Sequence, residues 1–309
     1  MKRNNLKGSI ILCLAALIWG LAFVAQSDAA DKIPPFAFNC LRSFLASVFL
    51  GAVMKIRGIK TKEKIIPKEK EKRKTVLLGG LLCGVLLAIS VNFQQFGLAV
   101  YPDGVAASAR GGFLTAIYVV LVPIASVFFN KKVSPIVWGA VAVALAGTYF
   151  LCLSGGISGI YIGDILMLCC AFAFTFHIIS VDNLGDKIGG IRLSLIQFFV
   201  CGIISLILSL IFEKNGFAIE NTISAAPQIA YLGIMSSGVA YTLQIIGQRF
   251  AEPAVASISM SLESVFAALG GWVLAGDILS SRELFGCVLV FAAIIIAQVP
   301  EMITKKHGE

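Results

Sequence analysis

The sequence predicts an all-α integral membrane protein: ten transmembrane helices in two inverted five-helix repeats. Three observations predict it. First, 58% of the 309 residues are hydrophobic and only 14% are charged, against about 25% charged in a soluble domain. Second, ten apolar segments reach the roughly 20 residues that a helix needs to cross a bilayer. They run at about 8–27, 36–56, 75–98, 104–129, 134–153, 163–181, 190–211, 227–248, 253–275 and 283–300, and are called spans 1 to 10. Third, the loops alternate in charge. With the N-terminus inside, the inner loops and ends collect 20 of the 25 Lys and Arg, and the outer loops keep Lys32, Lys214 and Arg282. Positive charge is retained on the cytoplasmic side. The expectation is a multi-pass protein of the cytoplasmic membrane with both termini cytoplasmic, because losing one span would scramble the asymmetry.

Span 1 follows Lys2, Arg3 and Lys7, as the apolar core of a signal peptide would. Its run from Gly8 to Gln26 is long enough to cross, so it is read as a retained helix. Trp19 sits mid-span, away from an interfacial belt, as a cavity wall or as packing. Span 2 carries Arg42, read as structural or interfacial. The following loop gathers ten Lys and Arg between Lys55 and Lys74, with no aromatic residue interleaved. That suits a membrane surface rather than a nucleic acid, despite the net charge of +8.

Span 3 places Asn92 and Gln95 on one face, three residues apart. It also holds Gly80-Leu81-Leu82-Cys83-Gly84, a small-xxx-small site that packs within the bundle or between protomers. Monomer and homodimer both stay open. Span 4 holds Arg110, then Thr115, Tyr118 and Pro123. A charge inside a span costs about 3 kcal/mol on insertion scales. Arg110 follows Gly104 by six residues, about 9 Å of helical rise. At that depth it either snorkels to headgroups or faces an outward cavity and contacts an anion or carboxylate.

In the second half, span 6 carries His177, which either shuttles protons or is hydrogen-bonded packing. Gln197 lies in span 7, and Tyr241 and Gln244 share a face of span 8. Glu263 in span 9 is about 15 Å from the inner surface by helical rise, near the midplane. It is either a structural partner or a coupling carboxylate, and whether it pairs with Arg110 is open. Asn92, Gln95 and Arg110 cluster toward the outside, and His177, Gln197, Tyr241 and Gln244 toward the inside. The eight cysteines fall inside apolar segments. None has metal-like spacing with a histidine, and Cys169-Cys170 is too tight for an ordinary bridge. They are read as small buried apolar residues, and no metal or cofactor is expected.

The halves resemble each other, which sets the domains at 8–153 and 163–300. Ile11-Leu12-Cys13-Leu14 opens span 1 and Ile165-Leu166-Met167-Leu168 opens span 6. Pro102 with Val105-Ala106-Ala107 enters span 4, and Pro253 with Val255-Ala256-Ser257 enters span 9. Gly139-Ala140-Val141 in span 5 answers Gly286-Cys287-Val288 in span 10. Five spans is an odd number, so the second copy inserts upside down, and inverted-repeat transporters bind substrate near the midplane between repeats.

At these residues the chain resembles the EamA-like branch of the drug/metabolite transporter superfamily, over nearly all of 8–300. Leu17-Ile18-Trp19-Gly20, Pro34-Pro35 and Leu41-Arg42-Ser43 resemble the opening of the first repeat. Gly111 to Pro123, with Arg110 just ahead, is similar to the family's span 4, and Ser261 to Leu269 to its span 9. The family often has Gly-Glu after that helix, where this chain has Gly276-Asp277. The resemblance implies a transporter of amino acids, nucleosides, other metabolites or drugs.

The function expected is a secondary transporter that exports a small metabolite, amino acid-like or otherwise polar or amphipathic, by alternating access. Its substrate-binding candidates are Trp19, Asn92, Gln95, Arg110, Thr115, Tyr118, Tyr241, Gln244 and Glu263. Its proton-coupling candidates are Glu263 and His177, with facilitated exchange as the uncoupled alternative. A passive channel is the runner-up. A membrane-embedded enzyme finds no metal triad and no Gly-x-Ser-x-Gly elbow, and an ATP-driven pump finds no Gly-x-x-x-x-Gly-Lys loop.

Overall fold

Apolar runs with no water to satisfy their backbones have to close their hydrogen bonds internally, and as helices they do so. A computed structural model describes residues 4–61, 64–102, 105, 107–153, 160–270 and 280–306, and among them all regular structure is helical. Seven spans are single helices: α1 (Asn5–Ala30), α2 (Pro35–Thr61), α3 (Lys70–Ala99), α6 (Pro135–Cys152), α7 (Ile162–Ile188), α8 (Gly190–Phe212) and α14 (Ser281–Lys306). Span 4 is split into α4 (Ala107–Ala116) and α5 (Tyr118–Phe128), and span 9 into α12 (Pro253–Met260) and α13 (Leu262–Gly270). After the short connector α9 (Ile219–Ser224), span 8 runs through α10 (Ala226–Tyr231), a π-helical stretch Leu232–Ala240, and α11 (Tyr241–Gln248).

Nine of these helical stretches are long and apolar enough to cross a membrane, and Pro253–Leu269 is a shorter apolar one. The expected end of span 9, the Gly276-Asp277 pair, Gly104 and the extreme termini lie outside the described residues. Large apolar side chains such as Leu210, Ile211, Phe212 and Ile295 stand exposed on the outside of the bundle, a surface suited to lipid.

The packing follows the inverted repeat. Span 1 packs on span 9, and its repeat mate span 6 packs on span 4. Span 2 packs on span 8, and span 7 on span 3. Spans 2 and 7, 4 and 9, and 5 and 10 pair with their own mates. Two of the apolar clusters that these contacts form frame the interior. One joins spans 4, 5, 9 and 10 through residues such as Val122, Ala140, Ile258 and Ala293. The other joins spans 2, 3, 7 and 8 through Leu50, Leu87, Phe198 and Tyr241. Trp19 of span 1 packs against both.

Local sequence explains the closest approaches. Gly147 of α6 and Gly286 of α14 meet backbone to backbone. A Cβ on Gly286 would stand 2.7 Å from the Gly147 carbonyl oxygen, so small residues let these helices touch. Gly80 and Gly84 face Ile196 and Val200 of α8, so the small-xxx-small site packs inside the bundle. Cys169 departs from the expectation of burial and is exposed.

The irregular helices also have causes. In α12, Ser257, Ser259 and Ser261 donate their hydroxyls to Ala254, Val255 and Ile258 carbonyls. Such back-bonding weakens and bends a helix, and the break falls at Ser261. In span 4, Pro123 lacks an N–H for the Val119 carbonyl and crowds it, nearly two turns beyond the break at Ile117. The π stretch carries two glycines and two serines. Gly233 and Gly238 lie against Leu45 and Phe49 of α2, where a Cβ on either would stand 2.8 Å from the facing side chain.

Candidate functional site

The three irregular stretches surround one cavity. Its free volume is about 40 Å³, room for a few waters. Thr115 and Tyr118 line it from either side of the break in span 4, and Met260 and Glu263 from either side of the break in span 9. Ser236 of the π stretch and Tyr241 and Gln244 just after it line it from span 8. Span 1 contributes Trp19, Phe23 and Gln26, span 2 Arg42, span 3 Gln94, and span 6 Phe174 and Ile178. The cavity therefore takes side chains from both repeats. Broken helices at the interface of two repeats are where inverted-repeat carriers place their substrate.

Apolar and polar groups have separate roles in it. The Trp19 and Tyr241 rings meet edge to face, with centroids 4.9 Å apart, and Tyr241 is fixed from behind by Phe198 at 5.1 Å. Glu263 is 6% exposed and accepts a hydrogen bond from the Tyr118 hydroxyl at 3.1 Å. Arg42 is 3% exposed. Its Nε donates to the Asn39 amide oxygen at 2.7 Å, and the guanidinium lies over the Phe38 ring, 5.6 Å from the centroid. Buried and without hydrogen-bond partners are Trp19 Nε1, Gln26 Oε1 and Gln244 Oε1. Buried polar atoms are ordinarily paired. Three unpaired ones around one cavity mark a surface that a ligand or water completes.

Six of the expected site residues are brought together here: Trp19, Thr115, Tyr118, Tyr241, Gln244 and Glu263. Four lie elsewhere. Arg110 neither snorkels to the bundle surface nor meets Glu263. It is 7% exposed and forms a two-point ion pair with Asp164 of α7, Nε to Oδ1 at 2.5 Å and Nη2 to Oδ2 at 2.7 Å. Asp164 also accepts from the Tyr101 hydroxyl at 2.9 Å and the Tyr161 backbone N–H at 2.8 Å, and Arg110 lies over the Tyr161 ring. Burial, and next the Asp164 carboxylate, push the Tyr101 phenol up, so it stays a donor. A nearer carboxylate at the head of span 6 thus takes the guanidinium.

Asn92 is committed to a buried network. It accepts from the Asn39 amide at 3.0 Å and donates to the Ala88 carbonyl and to Ser205. Gln95 donates to the Gln26 carbonyl at 3.0 Å, and its neighbour Gln94 faces the cavity instead. A helix turns by about 100° per residue, so a one-residue error in facing moves a side chain off the cavity. His177 is fully buried behind Tyr241, with Nε2 and the Gln197 amide oxygen 3.1 Å apart. The cavity residues that sequence reading missed are Arg42, Gln26, Gln94 and Ser236. Polarity inside a span was the available signal for each, and Arg42 carried it most plainly.

Polar side-chain contacts tie helices together at both ends of the bundle. At the end bearing the basic loop, the Ser9 and Ser259 hydroxyls are 2.7 Å apart, the Gln298 amide donates to Ser9 at 2.8 Å, and Asn5 accepts the Glu252 backbone N–H. These contacts join span 1 to span 9 and, through Gln298, to span 10. At the opposite end, Arg110 and Asp164 join span 4 to span 6, the repeat mates of spans 9 and 1. The contacts of span 1 at the basic end are neutral, but ion pairs stand at that end too: Lys131 with Asp182 and Arg249 with Asp186 tie span 6 to the loop after span 4 and to the end of span 8.

A multi-helix membrane bundle with a partly polar cavity between repeats defines the class: a membrane transporter, not an enzyme. The family follows from comparison. The model of the EamA-like transporter family matches residues 6–153 and again 161–298, and the chain belongs to that family. It is similar to a protein of Archaeoglobus fulgidus named an uncharacterized transporter, at 32% identity over 96% of this chain and 87% of the relative. It is also similar to the inner membrane transporter YedA of Escherichia coli K12, at 25% identity over 91% of this chain and 87% of the relative. A crystal structure matches with a TM-score of 0.75 at 18% identity, covering 94% of this chain and 96% of that one. At that identity it supports the fold alone.

Proposed function

We propose that the chain is a secondary carrier that exports a small amphipathic metabolite, amino acid-like in size, by alternating access across the cytoplasmic membrane. The observation that carries this reading is the cavity between the two apolar cores, flanked by a helix irregularity on spans 4, 8 and 9. Each core packs tightly within itself, while few elements bridge them. Rocking one core against the other opens the cavity first to one side and then to the other. The contacts at the basic end and those at the opposite end break in turn. With the basic loops facing the cytoplasm, substrate enters past Ser9 and Ser259 and leaves past Arg110 and Asp164.

Trp19 and Tyr241 cover the apolar part of the solute. Thr115, Gln244 and Glu263 meet its polar groups. Glu263 is the titratable group placed in the cavity, so proton coupling falls to it rather than to His177, which stands behind Tyr241. The test is a pH-gradient-driven flux assay in proteoliposomes, on a metabolite found by thermal-shift screening of the purified protein. Saturable flux with counterflow is expected, and Glu263→Gln should abolish the response to the pH gradient while the protein stays folded. Non-saturating flux would point to a channel. An unchanged pH response in the Gln variant would remove Glu263 from the coupling role.

A further inference from the structure

We propose that Arg42 is the specificity-determining residue of the cavity and that it selects solutes bearing a carboxylate. The inference rests on the carrier reading and deepens it. A guanidinium stays charged at any working pH, and a buried one is ordinarily paired with a carboxylate. The other buried arginine, Arg110, obeys that rule with Asp164. Arg42 does not. No acidic side chain among the described residues lies within ion-pair distance of it, and Glu263 of the same cavity bonds Tyr118 instead.

What Arg42 has is a rigid neutral mount. Asn39 takes its Nε, and Asn39 is itself held by the Val91 carbonyl and Asn92 at 3.0 Å each. Asn92 is tied in turn to Ser205 of α8 at 2.9 Å. The chain Arg42–Asn39–Asn92–Ser205 crosses spans 2, 3 and 7, so three helices fix where the guanidinium stands. It uses Nε alone and leaves the fork free toward the cavity. A neutral mount orients a cation without neutralising it, which leaves the charge to a ligand. Bidentate recognition of a planar carboxylate is the geometry that fork serves.

The cavity also tells which way the solute lies. Arg42 is seven residues into α2, about 10 Å from the end opposite the basic loops by helical rise, and Glu263 is ten residues into span 9 from the basic end, about 15 Å. The carboxylate therefore points toward the non-basic end, with donor groups of the solute toward Glu263 and Gln244, whose side-chain oxygens accept. Asn39 is a positioning residue for Arg42.

Three probes of one size separate the charges: leucine, leucinamide, which lacks the carboxylate, and 4-methylpentanoate, which lacks the ammonium. Binding is read by thermal shift and titration on the full chain, and flux in proteoliposomes. The expected result is that leucine or 4-methylpentanoate binds and leucinamide does not. Arg42→Gln should weaken carboxylate binding about 10- to 100-fold, the range for one charged hydrogen-bond pair. Arg42→Lys keeps the charge without the fork and should restore part of it. Asn39→Ala should raise KM for the carboxylate probes without changing the binding of an uncharged solute. Leucinamide binding as well as leucine, no binding by either carboxylate probe, or preference for carboxylate that survives Arg42→Gln would overturn the proposal. The two readings fail differently. Arg42-dependent carboxylate binding without flux contradicts the carrier, while flux indifferent to Arg42 and to the carboxylate contradicts only this inference.

Discussion

Two arginines lie inside spans, and their surroundings divide their work. Arg110 and Asp164 satisfy each other, and Tyr101 and the Tyr161 N–H complete the carboxylate. Removing one partner of such a buried pair leaves a charge without compensation, at a cost of about 3–5 kcal/mol. Asp164→Asn should therefore lower the thermal stability of the detergent-purified protein sharply. The double change Arg110→Leu with Asp164→Leu should recover most of the loss, and a double variant no more stable than the single one would contradict the pairing. The sequence makes Arg110 conspicuous but hides its partner. Asp164 sits at the head of span 6, where a carboxylate reads as an ordinary first-turn residue of a helix. Arg42 was legible as a charge in a span, yet its facing was not, because depth along a helix says nothing about rotation around it. The same limit separates Gln94, which lines the cavity, from Gln95, which does not.

At the scale of elements, the ten spans follow from hydropathy, since about 20 apolar residues permit little but a crossing helix. The interruptions do not. Pro123 marks span 4, but the serine back-bonding that breaks span 9 and the π stretch of span 8 depend on hydrogen-bond choices that hydropathy does not record. The glycine contact of α6 with α14 is where an element-level change is most readily tested. Gly286→Val would press methyl groups into the Gly147 carbonyl and the Leu151 backbone, an overpacking that costs typically about 1–3 kcal/mol. A lowered melting temperature with substrate affinity intact is expected, because the cavity is lined by neither helix. Unchanged stability would mean that α6 and α14 are free to part.

At the scale of the molecule, the repeat explains why the main contacts between halves come in mated pairs, and the two cores suggest what can move. Trp19 of span 1, and Phe174 with Ile178 of span 6, touch the two cores, so the cores meet through these mated helices. The contacts of span 1 with span 9 and of span 6 with span 4 are built on mated helices but differ in chemistry, a difference that depends on side chains far apart in the chain, such as Ser9 and Ser259 or Arg110 and Asp164. The measurement that tests alternating access most directly locks one end. The Ser9 and Ser259 hydroxyls are 2.7 Å apart, close enough for cysteines at both positions to form a disulfide. In this double variant, Ser236→Cys places a thiol in the cavity. Its labelling by a membrane-impermeant reagent is read by mass spectrometry at residue 236, from each face of oriented vesicles. Before oxidation, labelling is predicted from both faces. With the disulfide formed, labelling is predicted from the face opposite the basic loops alone, and a reductant should restore the other. Labelling from both faces with the lock closed, or from one face only before it closes, would contradict alternating access through this cavity.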